Sequence, residues 1–245
     1  MVISSRHNPR VREVALLKDK KHRERTGLYL VEGEKSVREA FAYQREVVTV
    51  LGVEDLVKDY LSTGAEVIPV TKEIADYVSD SVTPQGIVAV VKMGENRLIA
   101  PHLSSVLLDG VQDPGNLGTI IRTCAAAGIK DIYLADTADP YSPKTVRASM
   151  SGIFSVNLHR GKREDILKIL SDEVIICADM NGQDIFTYTP PKKYCLAVGS
   201  EAHGLSDAVR KAASVTVKIP MESCMESLNA GVAASIILYQ LKIRS

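Results

Sequence analysis

The 245-residue sequence has no glycine-rich loop running into Gly-Lys-Ser/Thr and no Gly-x-Gly-x-x-Gly after an expected strand. Nucleotide hydrolysis and nicotinamide chemistry therefore lack their usual signatures. Its four cysteines, Cys124, Cys177, Cys195 and Cys224, form no Cys-x-x-Cys pair and have no histidine beside them at metal-ligand spacing, so reduced thiols are the simplest reading. Long apolar runs are missing too. The longest, Ala230 to Leu241, contains Ser235 and Tyr239 and is too short to span a bilayer, and Met1 to Arg12 is charged where a signal peptide would be apolar. A soluble, cytoplasmic protein is expected. There is no net charge, with 30 basic and 30 acidic residues, and so no whole-molecule case for a polyanionic partner.

What is present is an ordinary globular composition, 45% apolar and 24% charged, which argues against a disordered chain. Charge is unevenly distributed. Between Met1 and Arg25 there are eight basic residues against three acidic ones, and Arg6, Arg10, Arg12, Lys20, Lys21, Arg23 and Arg25 are the candidate phosphate contacts. A solvated basic helix explains the same stretch equally well.

Asn8-Pro9 opens a helix expected to run through the basic stretch. Strands are expected at Leu28 to Val31, Val47 to Val50, Val67 to Val70 and Ile87 to Val91, alternating with helical patterns that include Val37, Ala40 and Phe41, then Leu56, Val57 and Leu61, then Ile74 and Val78. This gives a small α/β domain over 1–92. Met93 to Ser104, where Gly, Asn, Pro and Ser break every periodicity, reads as a linker over 93–104. The remainder, 105–245, restarts with apolar strands at Val106 to Leu108, Ile132 to Ala135, Val174 to Ala178, Cys195 to Val198 and Val215 to Ile219. Strands without polar alternation are buried on both faces, which predicts a mostly parallel sheet with helices on each side and a site at the C-terminal strand ends. A last helix from Ser227 to about Ile243 carries Leu228, Val232, Ile236 and Tyr239 on one face, as core packing or a dimer contact.

Three segments lie just after expected strands. In Leu108 to Thr123, Asp113-Pro114-Gly115-Asn116 reads as a turn and helix start with Asn116 as N-cap, whereas Arg122 stands on an otherwise apolar helix, either reaching solvent or gripping an anion. In Leu196 to Ser206 a glycine-flanked loop leads to Ser206, a candidate cap. In Val217 to Ala230 a strand leaves through Ile219-Pro220-Met221, and Ser227 or Asn229 could be no more than caps. Each segment alone has an adequate structural explanation.

Together they resemble the three motifs of the SpoU, or TrmH, family of RNA 2′-O-ribose methyltransferases: Asn116 to Arg122, then Gly199-Ser200-Glu201-Ala202-His203-Gly204-Leu205-Ser206, then Ile219-Pro220-Met221 with Glu226-Ser227-Leu228-Asn229. The resemblance covers about Ser105 to Leu241. Ser200 stands where Asn is frequent, Ala202 where Gly is usual, and Glu222-Ser223 replace a common glycine. More weakly, SRHNPRV and LYLVEGEKSVREAF look like the substrate-binding domain that many members carry in front.

The resemblance implies a deep trefoil knot, an exception to unknotted topology. It implies S-adenosylmethionine as cofactor, held at Gly199, Ile219 and Leu228 with Pro220 and Met221 beside them, and a homodimer in which each site borrows residues from its neighbour. Arg122 matches the family's catalytic arginine. Because a guanidinium is not deprotonated in proteins, its expected role is to clamp an RNA phosphate and stabilise the developing alkoxide, that phosphate being a candidate proton acceptor. Asn116 would orient Arg122 or the ribose, Glu201 and Ser227 would hold the same network, and Asn229 would position the phosphate or the cofactor-side backbone. No metal is called for. Large-subunit (23S) ribosomal RNA is the expected substrate. Transfer RNA, or a non-catalytic RNA-binding assembly factor of the same fold, is the alternative.

Overall fold

A computed structural model describes residues 2–222 and 227–244. Ser223 and Glu226 of the third segment, and Cys224, lie outside the described residues. The chain forms two compact units, one of Met1–Met93 with Asp139–Phe154, the other of Gly94–Ala138 with Ser155–Ser245.

The first unit contains α1 (Pro9–Leu16), α2 (Lys20–Thr26), β1 (Leu28–Glu32), α3 (Glu34–Ala42), β2 (Val47–Val53), α4 (Glu54–Val57), β3 (Glu66–Val70), α5 (Lys72–Val78) and β4 (Ile87–Lys92). Its four-stranded sheet has the order β1-β4-β2-β3, antiparallel except between β2 and β3. Val11 and Val14 from the first helix and Leu17 just after it join Ile74, Ala75 and Val78 over Leu30, Leu51, Ile68 and Val88 to form its core. The single helix expected through the basic stretch is two. Asp19 starts α2 by accepting from the His22 amide, and the Leu17 and Lys18 carbonyls are taken by Arg23 instead of continuing the helical ladder. The helix expected around Leu56 to Leu61 is only the short α4 followed by a 3₁₀ turn at Lys58–Tyr60.

The second unit contains β5 (Ser105–Asp109), α6 (Pro114–Ala127) and β6 (Asp131–Ala135). The chain then contributes α7 (Pro143–Ala148) to the first unit, and continues with β7 (Asn157–Arg160), α8 (Arg163–Ile169), β8 (Ile175–Asp184), β9 (Cys195–Gly199), α9 (Asp207–Ala212), β10 (Val215–Lys218) and α10 (Ala230–Arg244). All six strands run parallel in the order β10-β8-β9-β5-β6-β7. The strand β7, Asn-Leu-His-Arg, is too short and too polar to announce itself in sequence. The chain fills the sheet outward from β5 through β6 to β7, then crosses to the other side for β8, β9 and β10, so the connections leaving β5 and β9 diverge. Such a divergence opens a crevice at the C-terminal strand ends.

The expected linker is tied down over 96–99. Asn96 Nδ2 donates to the Arg160 carbonyl at 2.9 Å while the Arg160 amide donates back to Asn96 Oδ1 at 2.7 Å. Next to it, the Arg97 carbonyl meets His159 Nδ1, Leu98 joins the second core, and the Ile99 carbonyl accepts from Tyr133 Oη at 2.6 Å. No helix among the described residues is long and apolar enough to cross a membrane.

Candidate active site

Local chemistry places the three segments. At the end of β5 the chain leaves through Asp109-Gly110, and the next helix begins at Pro114 with Asp113 as its N-cap, its side chain accepting from the Asn116 amide at 2.8 Å. The capping role expected of Asn116 therefore falls to Asp113. With its backbone N–H satisfied by Asp113, Asn116 keeps both ends of its side-chain amide for other partners. Asn229 Nδ2 donates to Asn116 Oδ1 at 2.8 Å, and Asn116 Nδ2 donates to Glu201 Oε1 at 2.5 Å. One amide thus joins all three segments in a directional relay from Asn229 through Asn116 to the carboxylate. Asn229 also accepts from the Val232 amide at 3.2 Å, so it is both a cap for α10 and a member of the relay.

Close packing lets these groups meet. An added Cβ at Gly231 would come 3.2 Å from Thr119 Cγ2 and 3.3 Å from Asn116 Oδ1, so a small residue there admits α10 against α6. Thr123 and Ser235 hydrogen-bond 2.8 Å apart further along the same contact.

The loop after β9 closes on itself. Ser200 and Gly204 exchange backbone hydrogen bonds at 3.0 and 2.9 Å, and Gly204 takes a left-handed φ of 65°. A Cβ at Gly199 would stand 2.1 Å from the Gly204 carbonyl carbon, so only glycine fits. Ser206 caps α9 through the Val209 amide, as expected. Buried Asp109 anchors the far end of the loop, accepting from the Ser206 amide at 2.7 Å and from Arg163 Nε at 2.6 Å. The Asp109 contact raises the Arg163 pKa further still, so the guanidinium is permanently charged.

A cavity of about 530 Å³ opens at these strand ends. Gly199, Ile219, Met221 and Leu228 line it, as do Glu201, Ser227 and Asn229. Pro220 is exposed and does not line it. Asn116 touches the cavity through its two partners. Arg122 is exposed, its guanidinium makes no hydrogen bond or ion pair among the described residues, and it does not line the cavity. Six residues after Asn116, it sits about a third of a turn around the helix. Sequence reasoning missed Ala178 to Asn181, His203, Arg210, Ala233 and Ile237, which also line the cavity. The end of the expected strand Val174 to Ala178 was the signal for the first of these.

Over residues 104–239, more than half of the chain, the sequence matches the model of the SpoU rRNA Methylase family. The chain belongs to that family. Over 8–89 this SpoU protein also matches the MRM3-like substrate binding domain. It is 34% identical to the 23S rRNA (guanosine(2553)-2′-O)-methyltransferase RlmP of Bacillus subtilis, over 98% of each chain. It is 32% identical to the 23S rRNA (uridine(2479)-2′-O)-methyltransferase of Streptomyces viridochromogenes, over 92% of this chain and 86% of that one. Among solved structures, the AdoMet-bound rRNA methyltransferase from Sinorhizobium meliloti superposes with a TM-score of 0.90 at 31% identity, covering 99% of this chain and 97% of that one. AviRb from Streptomyces viridochromogenes in complex with AdoMet gives 0.88 at 28% identity, covering 97% and 98%. The all-parallel α/β fold is that of SpoU methyltransferase structures.

The basic stretch divides in this SpoU chain. Arg6, Arg10, Arg12, Lys20, Lys21 and Arg25 are exposed, Arg10 pairing with Glu66 at 2.9 Å and Lys20 with Glu24 at 3.8 Å. Arg23 is not a phosphate contact. It is only 3% exposed, donates to Asp139 Oδ2 at 3.1 and 2.6 Å, and donates to the Leu17 and Lys18 carbonyls. A guanidinium with every near donor occupied inside the protein is structural. Among the described residues, no group of three or more His, Cys, Asp or Glu is placed to hold a metal ion.

Proposed function

We propose that this protein transfers the methyl group of S-adenosylmethionine to a ribose 2′-hydroxyl of large-subunit ribosomal RNA, in the cytoplasm. The observation that carries the reading is the relay Asn229–Asn116–Glu201 at the rim of a strand-end cavity. Full-length relatives named as 23S rRNA 2′-O-methyltransferases and AdoMet-bound structural neighbours support it. Those two relatives act on a guanosine and a uridine respectively, so the base modified is not fixed by kinship.

The residues present fit the cofactor. The apolar side chains of Ile219, Leu228 and Ile237 offer a surface for an adenine ring, and the glycine-only approach of Gly199 to Gly204 leaves backbone groups at the cavity wall. When bound, the cofactor supplies an electrophilic methyl carbon on a sulfonium. The chain must align the attacking oxygen and manage its proton. Asn116, fixed at both ends of its amide, orients the ribose together with Glu201, Ser227 supports the same network, and Asn229, bonded to Asn116, positions the phosphate or the cofactor-side backbone. Arg122 clamps an RNA phosphate and stabilises the emerging alkoxide.

Because Arg122 does not reach its own cavity, the site is completed in a homodimer. Val232, Tyr239 and Ile243 lie along one side of α10 and are 47%, 42% and 77% exposed, a surface suited to a second copy. The passage of the chain through its own loop, a trefoil knot, is part of the same reading. Arg6, Arg10, Arg12, Lys20, Lys21 and Arg25 provide phosphate contacts on the first unit.

The test is methylation of large-subunit rRNA by purified protein with isotope-labelled S-adenosylmethionine, followed by mass analysis of the nucleosides. Label on a ribose is expected, and Arg122→Lys should lose at least about tenfold in turnover while binding cofactor normally. Label on a base nitrogen, or near-normal turnover of Arg122→Lys, would overturn the mechanism.

A further inference from the structure

The strand β8 does not pair continuously with β10. Cys177 is opposite Thr216, but the next residue, Val217, is opposite Gln183, so residues 178–182 leave the ladder as an excursion. Gly182 pins its far end: a Cβ there would fall 2.5 Å from the backbone nitrogen and carbonyl carbon of Val217. The excursion forms one wall of the cofactor cavity.

Within it, Asp179 is one of only two carboxylates among the described lining residues, the other being Glu201, which is committed to Asn116. Its side chain is 11% exposed. Oδ1 accepts from the Asn181 amide at 3.1 Å, and Oδ2 accepts from Arg210 Nη1. Arg210 in turn donates from Nε to the Leu205 carbonyl at 3.0 Å. Each carboxylate oxygen thus has one partner among the described residues and keeps further acceptor capacity.

We propose that Asp179 is the acceptor for the 2′- and 3′-hydroxyls of the cofactor's ribose. This rests on the S-adenosylmethionine reading and assigns a residue within it. The cofactor carries three kinds of donor. Its α-ammonium would have to approach a carboxylate already neutralised by Arg210 and would face that guanidinium as a like charge. The adenine amine presents its hydrogens from one nitrogen and engages one oxygen. Only the ribose diol offers two neutral donors side by side, matching two carboxylate oxygens. Arg210 is then a positioning residue that links the ribose subsite to the Gly204-Leu205 loop.

Calorimetry on the intact protein tests this with S-adenosylhomocysteine, 5′-methylthioadenosine and the 2′-deoxy and 3′-deoxy forms of the latter. Loss of a hydrogen bond to a charged acceptor should weaken each deoxy compound by about tenfold to a hundredfold in the wild type. In Asp179→Asn, the parent compound should weaken and the penalty for each missing hydroxyl should shrink severalfold, with unchanged thermal stability as the folding control. Equal binding of parent and deoxy compounds by the wild type would overturn the assignment and needs no variant. So would an Asp179→Asn effect seen with S-adenosylhomocysteine and absent with 5′-methylthioadenosine, which would place the ammonium there. Failure of the wild type to bind S-adenosylhomocysteine overturns the cofactor reading, and this assignment with it.

Discussion

Asn116 is one side chain whose two ends are used for opposite purposes, carbonyl accepting and amide donating, and that asymmetry makes it testable. Replacement by Asp keeps the shape and the acceptor but removes the donor and sets a negative charge against Glu201. Turnover of Asn116→Asp should fall by about a hundredfold or more while S-adenosylhomocysteine affinity changes little, which single-turnover kinetics and calorimetry separate. The two kinds of arginine in the basic stretch differ as sharply. Arg23→Ala leaves the Asp139 carboxylate unpaired where it is nearly buried, and should cost about 3–5 kcal/mol in urea unfolding. Arg12→Ala or Lys21→Ala should leave stability unchanged, and each should reduce the slope of log affinity for RNA against log salt by about 1. In sequence these residues look alike. Burial depends on a partner more than a hundred positions away, which no local pattern reports.

At the scale of elements, the loop after β9 depends on a contact without room for a methyl group. Gly199→Ala should force the loop away from β9, lowering cofactor affinity by about tenfold or more and stability by about 1–3 kcal/mol, as read by calorimetry and denaturant unfolding. Apolar runs made the central strands legible: β5, buried at all five positions, and most of β9 and β6 stand where uninterrupted hydrophobicity places them. Motif spacing made the three cavity segments legible. The strand β7 was not legible, because its four residues owe their place to pairing with β6 and to the clamp of Asn96 and His159 rather than to their own hydrophobicity. Nor was the excursion at 178–182, since a register break is a property of two strands and shows in neither alone. The N-cap was misplaced by three residues because Asp and Asn are equally good caps, and only the Pro114 at the first helical position favours Asp113.

For the molecule as a whole, the second unit buries two thiols in its sheet, Cys177 on β8 and Cys195 on β9. Burial pushes Cys177 up to about 11, with Arg210 pulling weakly the other way, and pushes Cys195 up to about 12. Both are acids held neutral by the fold, so the folded state keeps protons that the unfolded chain releases. Their contribution is fully present below the unfolded thiol value of about 8.5 and disappears as pH rises through 11 to 12. Unfolding free energy should therefore decline above about pH 8.5, by up to about 1.4 kcal/mol per pH unit for each proton involved. Cys177→Ala should flatten the decline between about pH 9 and 11, and an unaltered slope would show that this thiol is not its source.

The first unit is not a contiguous stretch of chain, because Asp139–Phe154 belongs to it. That segment supplies the carboxylate for Arg23, the ring of Tyr141 4.9 Å from Tyr29, the carbonyl of Phe154 for Arg45 and the guanidinium of Arg147 for Glu32 and Asp80. A truncated gene ending at Met93 would thus encode a protein with a stranded internal cation and an uncovered tyrosine, and should be recovered partly unfolded. On the ribosome, the amino-terminal portion cannot reach its finished state until Phe154 has emerged, which makes its maturation wait on translation of β5, α6 and β6 of the second unit.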